Sequence, residues 1–511
     1  MLALATVLSV AIPTFAAIPT SAAIASGRQG APTGPVPTVT GPVSGGKGSP
    51  NIVAPTLPAD AGYVIEEYFI SGDATAYTSA VPLTSDGRWT VTPAGTAPYA
   101  TRLYVARPAD PKQFNGTVYV EWLNVSAGFD SAATWNLDHV ALVRDGAAFV
   151  GVSAQAVGVQ GSGAATATAG VASGGVKAAD PERYAPLTHP GDSYSYDIFT
   201  QAGRAVRGEG SVKPLGDLTA KRVIATGESQ SAFRMVTYID GVDPIAGVYD
   251  GFLVHSRFGN AAPLSQAPQA DIPAPTPTLI RTDVSVPVLV VETESDVGLA
   301  GGAAAVQPDS KRVHTWHVAG TAHYDAYGVG LGFGDPGDGS AEMTLLDLTN
   351  PTVSKLNCTA PINAGPMYAV LMAGVRGLDR WVRGGRPPPT SPRFEFTEGV
   401  PVTAANGTTR ATYVLTRDAS GIVLGGIRTP FVDVPRARID GERGSGPSFC
   451  SLFGNTIPFD AATLDARYGS HAKFLAAFDA STKRAVKAGF VLPEEARKWT
   501  AAIRQVPYPG S

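Results

Sequence analysis

The chain has 511 residues, of which 44% are apolar and 16% charged, with a formal net charge of −4 at neutral pH. That length suits two or three average domains or one decorated α/β domain. The acidic balance and the scattered Lys and Arg residues leave no basic field to attract nucleic acid, so a nucleic-acid partner is excluded.

The first 25 residues, MLALATVLSVAIPTFAAIPTSAAIA, carry no charge. They read as the apolar part of a secretory signal peptide ending in the small-residue pattern Ala23-Ile24-Ala25. Pro13 and Pro19 break the run short of a span of about 20 residues, which favours cleavage over anchoring. The expected location is therefore secreted or at the cell envelope, without stable membrane insertion after cleavage. Residues 26 to 58 are rich in Pro, Gly, Ser and Thr and read as a flexible, disordered tether. The folded domain is expected over 59 to 511, with a core to about residue 385 and a C-terminal extension or cap over about 386 to 511.

YVIEEYFI (63 to 70) and TRLYVARP (101 to 108) predict strands around a turn-rich segment, and GTVYVEWLN (116 to 124) predicts another. TWNLDHVALVRDG has helical spacing, and AAFVGVSAQ (147 to 155) is an apolar run of strand length. YDIFTQAGRAVRG (196 to 208) predicts a helix, RVIATG (222 to 227) a buried strand and SAFRMVTYIDG the helix after it. GVYDGFLVHS, VPVLVVET and RVHTWHVAG continue a strand series separated by helices or loops. Such alternation predicts an α/β fold with a largely parallel sheet covered on both faces. Beyond His323, PMYAVLMAGVRGLDRWVRGG predicts a long helix, TRATYVLT and GIVLGGIRTPFVDVP short strands, and the tail helices.

IATGESQSAF (224 to 233) joins a strand to a helix through G-x-S-x-small, the arrangement that exposes a nucleophilic serine on a strained turn. Gly227 meets the first glycine position, and Ser231 replaces the second with one added hydroxymethyl. A second match, GDSYS at 191 to 195, follows PLTHP, which cannot be a central strand. There Asp192 and Ser193 read as caps for the following helix. Ser229 is thus the candidate nucleophile.

A serine nucleophile needs a base and the base an orienting carboxylate, in the chain order Ser, acid, His. VPVLVVETESDV offers Asp296 as the acid, with Glu294 as the alternative, and HVAGTAHYD offers His323 after a strand. His314 and His317 lie within that strand pattern, and H-x-x-H there is not a zinc motif. The backbone N–H of Gln230 and that of Asn124 or Val125, in the loop LNVSAGFD, are the candidate oxyanion donors. Gln155 ends a strand at the same sheet edge, as a substrate contact or a capped strand end. Asp335 and Asp338 sit in a Gly-rich stretch that reads as a loop rather than a calcium site, and no metal or cofactor is called for. Cys358 and Cys450 are the only cysteines, and in an exported chain they read as a disulfide tying the extension to the core.

From about Gly62 to the C-terminus the chain resembles a bacterial family of secreted α/β-hydrolase domain proteins, read as serine esterases. The resemblance rests on EEYFISGDATAY, VEWLNVSAGFD, GVSAQAVGVQG, GESQS, VETESD, AGTAHYD and RTPFVDVP…CSLFGNTIPFD. It implies the α/β-hydrolase fold, a nucleophile at Ser229, a histidine at His323 and an acid within ETESD, and it supplies no natural substrate. The expected activity is hydrolysis of a small-molecule carboxylic ester through an acyl-enzyme intermediate. Peptide hydrolysis, acyl transfer to another acceptor, or a non-catalytic binding module on the same fold are the alternatives. Oligomeric state is not legible in the sequence.

Overall fold

In the computed structural model the described residues are 34–161, 174–348, 357–403 and 409–508. The expected signal peptide and the first part of the tether lie outside them. Nine strands form one sheet: β1 (Thr38–Thr40), β2 (Tyr63–Thr78), β3 (Thr92–Pro108), β4 (Thr117–Trp122), β5 (Ala148–Val152), β6 (Arg222–Glu228), β7 (Gly251–His255), β8 (Val288–Glu292) and β9 (Val313–His317). Their spatial order is β1-β2-β3-β5-β4-β6-β7-β8-β9. Pairing is antiparallel from β1 to β5 and parallel from β5 through β4 to β9.

The strands are built from β-branched and aromatic residues whose alternate side chains enter two cores. Val118, Val120 and Trp122 of β4, Val223 and Ala225 of β6, and Val288 and Val290 of β8 face one side. Tyr119, Ile224, Leu289 and Val291 face the other. Chain-order helices cover these faces: α1 (Ala133–Arg144), α2 (Ser195–Val206), α3 (Gln230–Thr237), α4 (Met367–Val382), α5 (His471–Ala488) and α6 (Pro493–Ile503). Helices α2 and α3 pack on the first face through Phe199, Ala202, Met235 and Val236. Helices α1, α4, α5 and α6 pack on the second through Trp135, Leu371, Phe478 and Trp499. This doubly covered, largely parallel sheet is the expected α/β-hydrolase fold.

Three expectations are modified. The tether from Thr38 onward is not free: β1 pairs with β2, Thr38 opposite Ser71, and the Asn51 carbonyl accepts from Arg102 Nη2 at 2.7 Å. An edge strand of this kind is held by backbone groups and leaves no hydrophobic period to read. Strands β2 and β3 also run further than the sequence pattern, pairing from Tyr63↔Pro108 to Thr78↔Thr92. Pro93 and Pro98 are tolerated there because β3 meets β5 only over Leu103–Ala106, leaving the proline-bearing half at an edge. Finally, the long tail helices of the expected extension or cap pack against the core itself. Trp499 Nε1 donates to Tyr368 Oη at 3.1 Å and Arg144 pairs with Glu495 at 2.7 Å, so α6 thickens the face already covered by α1 and α4.

Short hairpins from the extension lie elsewhere, Ala437–Asp440 pairing with Asn455–Pro458 beside the loop after β8. The Cys358–Cys450 disulfide joins chain segments 92 residues apart. Among the described residues no helix is long and apolar enough to cross a membrane.

Candidate active site

The parallel strands end together, with Glu228 of β6 opposite His255 of β7 and Glu292 of β8 opposite His317 of β9. Just past β6, Ser229 adopts φ 56° and ψ −120° before α3 begins. A non-glycine residue held there costs about 1–3 kcal/mol and persists only where its surroundings over-determine it. Here β6 and α3 anchor both flanks, and the Ser229 N–H donates to the His255 carbonyl at 3.0 Å. Gly227 is required by the closeness of this turn, since a Cβ there would lie 2.8 Å from the Ser231 carbonyl oxygen. Ser231 itself is fully buried, and its hydroxyl has no hydrogen-bond partner among the described residues. The space therefore admits its extra hydroxymethyl.

The loops after β8 and β9 bring Asp296 and His323 to Ser229. Ser229 Oγ lies 2.8 Å from His323 Nε2, and Asp296 Oδ1 lies 2.6 Å from His323 Nδ1. The remaining Asp296 oxygen accepts from the Thr293 N–H and from its hydroxyl, both at 2.7 Å. The backbone N–H of His323 donates to Ser295 Oγ at 3.0 Å, so the two loops hold each other. Burial alone would lift the Asp296 carboxyl, but the His323 charge and hydrogen bonds from His323 and Thr293 outweigh it and hold it below the ordinary range. Burial likewise opposes protonation of His323, yet the Asp296 carboxylate overrides it and holds the imidazole above its ordinary value.

Glu294 points away from His323. It accepts from the Gly320 N–H at 2.7 Å, from Arg417 at 2.8 Å and from the Gly441 N–H at 3.1 Å, which fastens the extension to the acid loop. Burial pushes its carboxyl up to about 7 against the pull of Arg417.

Of the two donors proposed beside Gln230, the Asn124 N–H is already spent on the Ser131 carbonyl at 2.9 Å. The Val125 N–H donates to no described residue, and the Gln230 N–H opens α3, where the first turn has no intrahelical acceptor. Gln155 is buried rather than open to a ligand. Its Oε1 accepts from Trp122 Nε1 at 3.1 Å and from Gln230 Nε2 at 2.8 Å, while its Nε2 donates to Asp192 at 2.9 Å. Asp192 also accepts from Arg234 and the Ala156 N–H, both at 2.9 Å, so it does not cap α2. Ser193 does not cap it either, accepting instead from the Gln266 N–H at 2.9 Å.

Three residues that sequence reasoning passes over, Thr293, Arg234 and Glu228, belong to this site, and so does Asp192, read from the sequence as a helix cap. Thr293 orients Asp296, and Asp192 with Arg234 steadies the Gln155–Gln230 pair. Glu228 stands inside the quoted motif at its variable position and lies 3.6 Å from His323 Nε2. Only position within the motif could have drawn attention to it. His317 lies 3.8 Å from Glu292 within the sheet, and Asp335 accepts from Tyr327 Oη and the Gly337 N–H, both at 2.8 Å. Among the described residues no group of three or more His, Cys, Asp or Glu is arranged to hold a metal ion.

The Alpha/beta hydrolase domain family matches residues 39–501. The chain belongs to that family. No curated protein matches it. Among solved structures this family member is similar to the esterase Est22, at 13% identity over 50% of this chain and 73% of that one, with a TM-score of 0.28. It is also similar to a thermostable esterase from Pseudomonas putida ECU1011, at 16% identity over 51% and 74%, TM-score 0.24. A fungal esterase from Rhizomucor miehei is similar at 13% identity over 49% and 74%, TM-score 0.23. The family match, rather than these partial likenesses, is the ground for the assignment.

Proposed function

We propose that the protein is a serine hydrolase of carboxylic esters. The observation that carries this reading is the unbroken chain of short contacts, Ser229 Oγ to His323 at 2.8 Å and His323 to Asp296 at 2.6 Å, beginning on a strained turn. Ser229 attacks the acyl carbonyl while His323 Nε2 takes its proton, and Asp296 holds the imidazole with Nδ1 protonated. The developing oxyanion is met by the N–H groups of Gln230 and Val125. His323 then returns the proton to the leaving alcohol, and a water activated by the same imidazole releases the acid.

Ser229 is half-buried rather than enclosed in the core, as a nucleophile that must meet a substrate requires. Glu294 serves as a structural anchor of the extension in this reading, and export of the chain remains part of the proposal. Intact mass after treatment with a small fluorophosphonate tests the nucleophile. One adduct is expected on the wild type and none on Ser229→Ala, which should also lose p-nitrophenyl acetate and butyrate turnover by about 10⁴-fold or more. An adduct that persists in Ser229→Ala would sink the assignment.

A further inference from the structure

Glu228, the last residue of β6, is 3% exposed. Its Oε1 lies 3.6 Å from His323 Nε2, the same nitrogen that faces Ser229 Oγ at 2.8 Å. Its other carboxyl oxygen accepts from Asn124 Nδ2 at 3.0 Å, and its own carbonyl accepts from the same amide at 3.1 Å. The amide cannot turn over without loss, because Asn124 Oδ1 accepts from the Ser126 N–H at 2.8 Å. The clamp therefore fixes the carboxyl group and also ties the loop carrying Val125 to the serine turn.

Burying an ionised carboxylate is unfavourable unless an opposite charge or hydrogen bonds repay it. Among the described residues Glu228 has no Lys or Arg partner, and His323 is its one ion-pair partner. The imidazole thus lies between two carboxyl groups, Asp296 on Nδ1 and Glu228 on the Nε2 side. We infer that Glu228 is a positioning residue whose carboxylate, clamped by Asn124, stabilises the imidazolium formed when His323 takes the Ser229 proton, and so sets the pH at which that base works.

This rests on the ester-hydrolase reading. In the step itself the Ser229 O–H bond breaks, the Nε2–H bond forms, the Oγ lone pair adds to the acyl carbon and the carbonyl π pair moves onto oxygen. Glu228 neither gains nor loses a proton there; it supplies charge beside Nε2. The titratable groups that face it are His323 and Asp296 from the neighbouring loops, Glu121 from β4 and Tyr324 beside His323. Burial brings the Glu228 carboxyl up to about 7 against the pull of His323, and two groups this close bind their protons as a pair rather than independently.

The test is Glu228→Gln, which removes the charge and keeps an acceptor for Asn124. The pH profile of p-nitrophenyl ester turnover is measured on wild type and variant, with folding checked by circular dichroism. The acid limb of kcat/KM should move down by about one pH unit and the plateau kcat fall about tenfold, with KM little changed. Asn124→Ala, which leaves the charge but frees it, should shift the limb part of the way. An unmoved limb overturns the inference, whether kcat is retained or lowered, since a merely structural Glu228 would lower kcat alone.

If Glu228→Gln does not fold, the downfield Nδ1–H proton of His323 is followed in the wild type across neutral pH. Two coupled steps are expected, and a single step overturns the inference. A wild type that neither takes the fluorophosphonate nor cleaves esters would instead overturn the hydrolase reading.

Discussion

Ser229 is poised by geometry, and His323 by charge. With the imidazole held above its ordinary value by Asp296, a larger share of it is protonated at a given pH and, on the proposed hydrolase reading, idle as a base. The sign follows directly: kcat/KM rises with pH, and the midpoint of that rise should lie above the ordinary histidine value of about 6.5. A pH–rate profile on a p-nitrophenyl ester checks this, and a midpoint below that value would contradict the Asp296–His323 pairing. Thr293 contributes by giving Asp296 two hydrogen bonds that only the ionised form accepts fully. Gly227 is legible for the reason that makes it necessary, since the backbone leaves no room for a Cβ.

At the scale of elements, the site depends on what holds each loop. The turn after β6 is braced by the Gln155–Gln230 contact, and Gln155 is braced in turn by Asp192. The loop after β8 is braced from the extension through Glu294, Arg417 and the Gly441 N–H. Nearby, Cys450 ties that extension to Cys358, ahead of α4. Closing a loop of this size removes entropy from the unfolded chain, worth about 4 kcal/mol in the chain-entropy model. Replacing both cysteines by serine should therefore lower the unfolding free energy by about 2–4 kcal/mol in a denaturant titration. An unchanged midpoint would mean that the extension is held without the bond.

At the scale of the whole molecule, α1 and the sheet between the two cores bury several carboxyl groups in surroundings that disfavour their ionised form. Burial pushes Glu121 and Glu292 up to about 8, and Asp138, whose oxygens have no hydrogen-bond partner among the described residues, well above the ordinary range. A carboxyl raised in the folded state binds a proton that the unfolded chain releases, so stability declines as pH climbs from about 4 toward about 8. His323 has the same sign, and Asp296, held low, the opposite one at the acid end. The Tm should thus fall between about pH 5 and pH 8, and Asp138→Asn should flatten that fall. A variant that follows the wild-type curve would mean that Asp138 carries no charge penalty on the alkaline side.

The sequence by itself determined the parallel strand series, the serine turn and the chain order of Ser229, Asp296 and His323. Each of these is encoded locally: β-branched runs mark buried strands, and a missing Cβ marks a tight turn. It left Asp296 and Glu294 as alternatives, because two carboxyl groups two residues apart in one loop look alike until the backbone aims them. Only tertiary structure turned Asp296 toward His323 and Glu294 toward Arg417. The same holds for Asn124, whose N–H was taken by Ser131, and for Gln155, which was drawn into a buried network. Strand β1 and the outer position of α6 were likewise tertiary outcomes. Hydrogen bonds and packing between residues distant in the chain carry no local period, so they become visible only once the chain has folded.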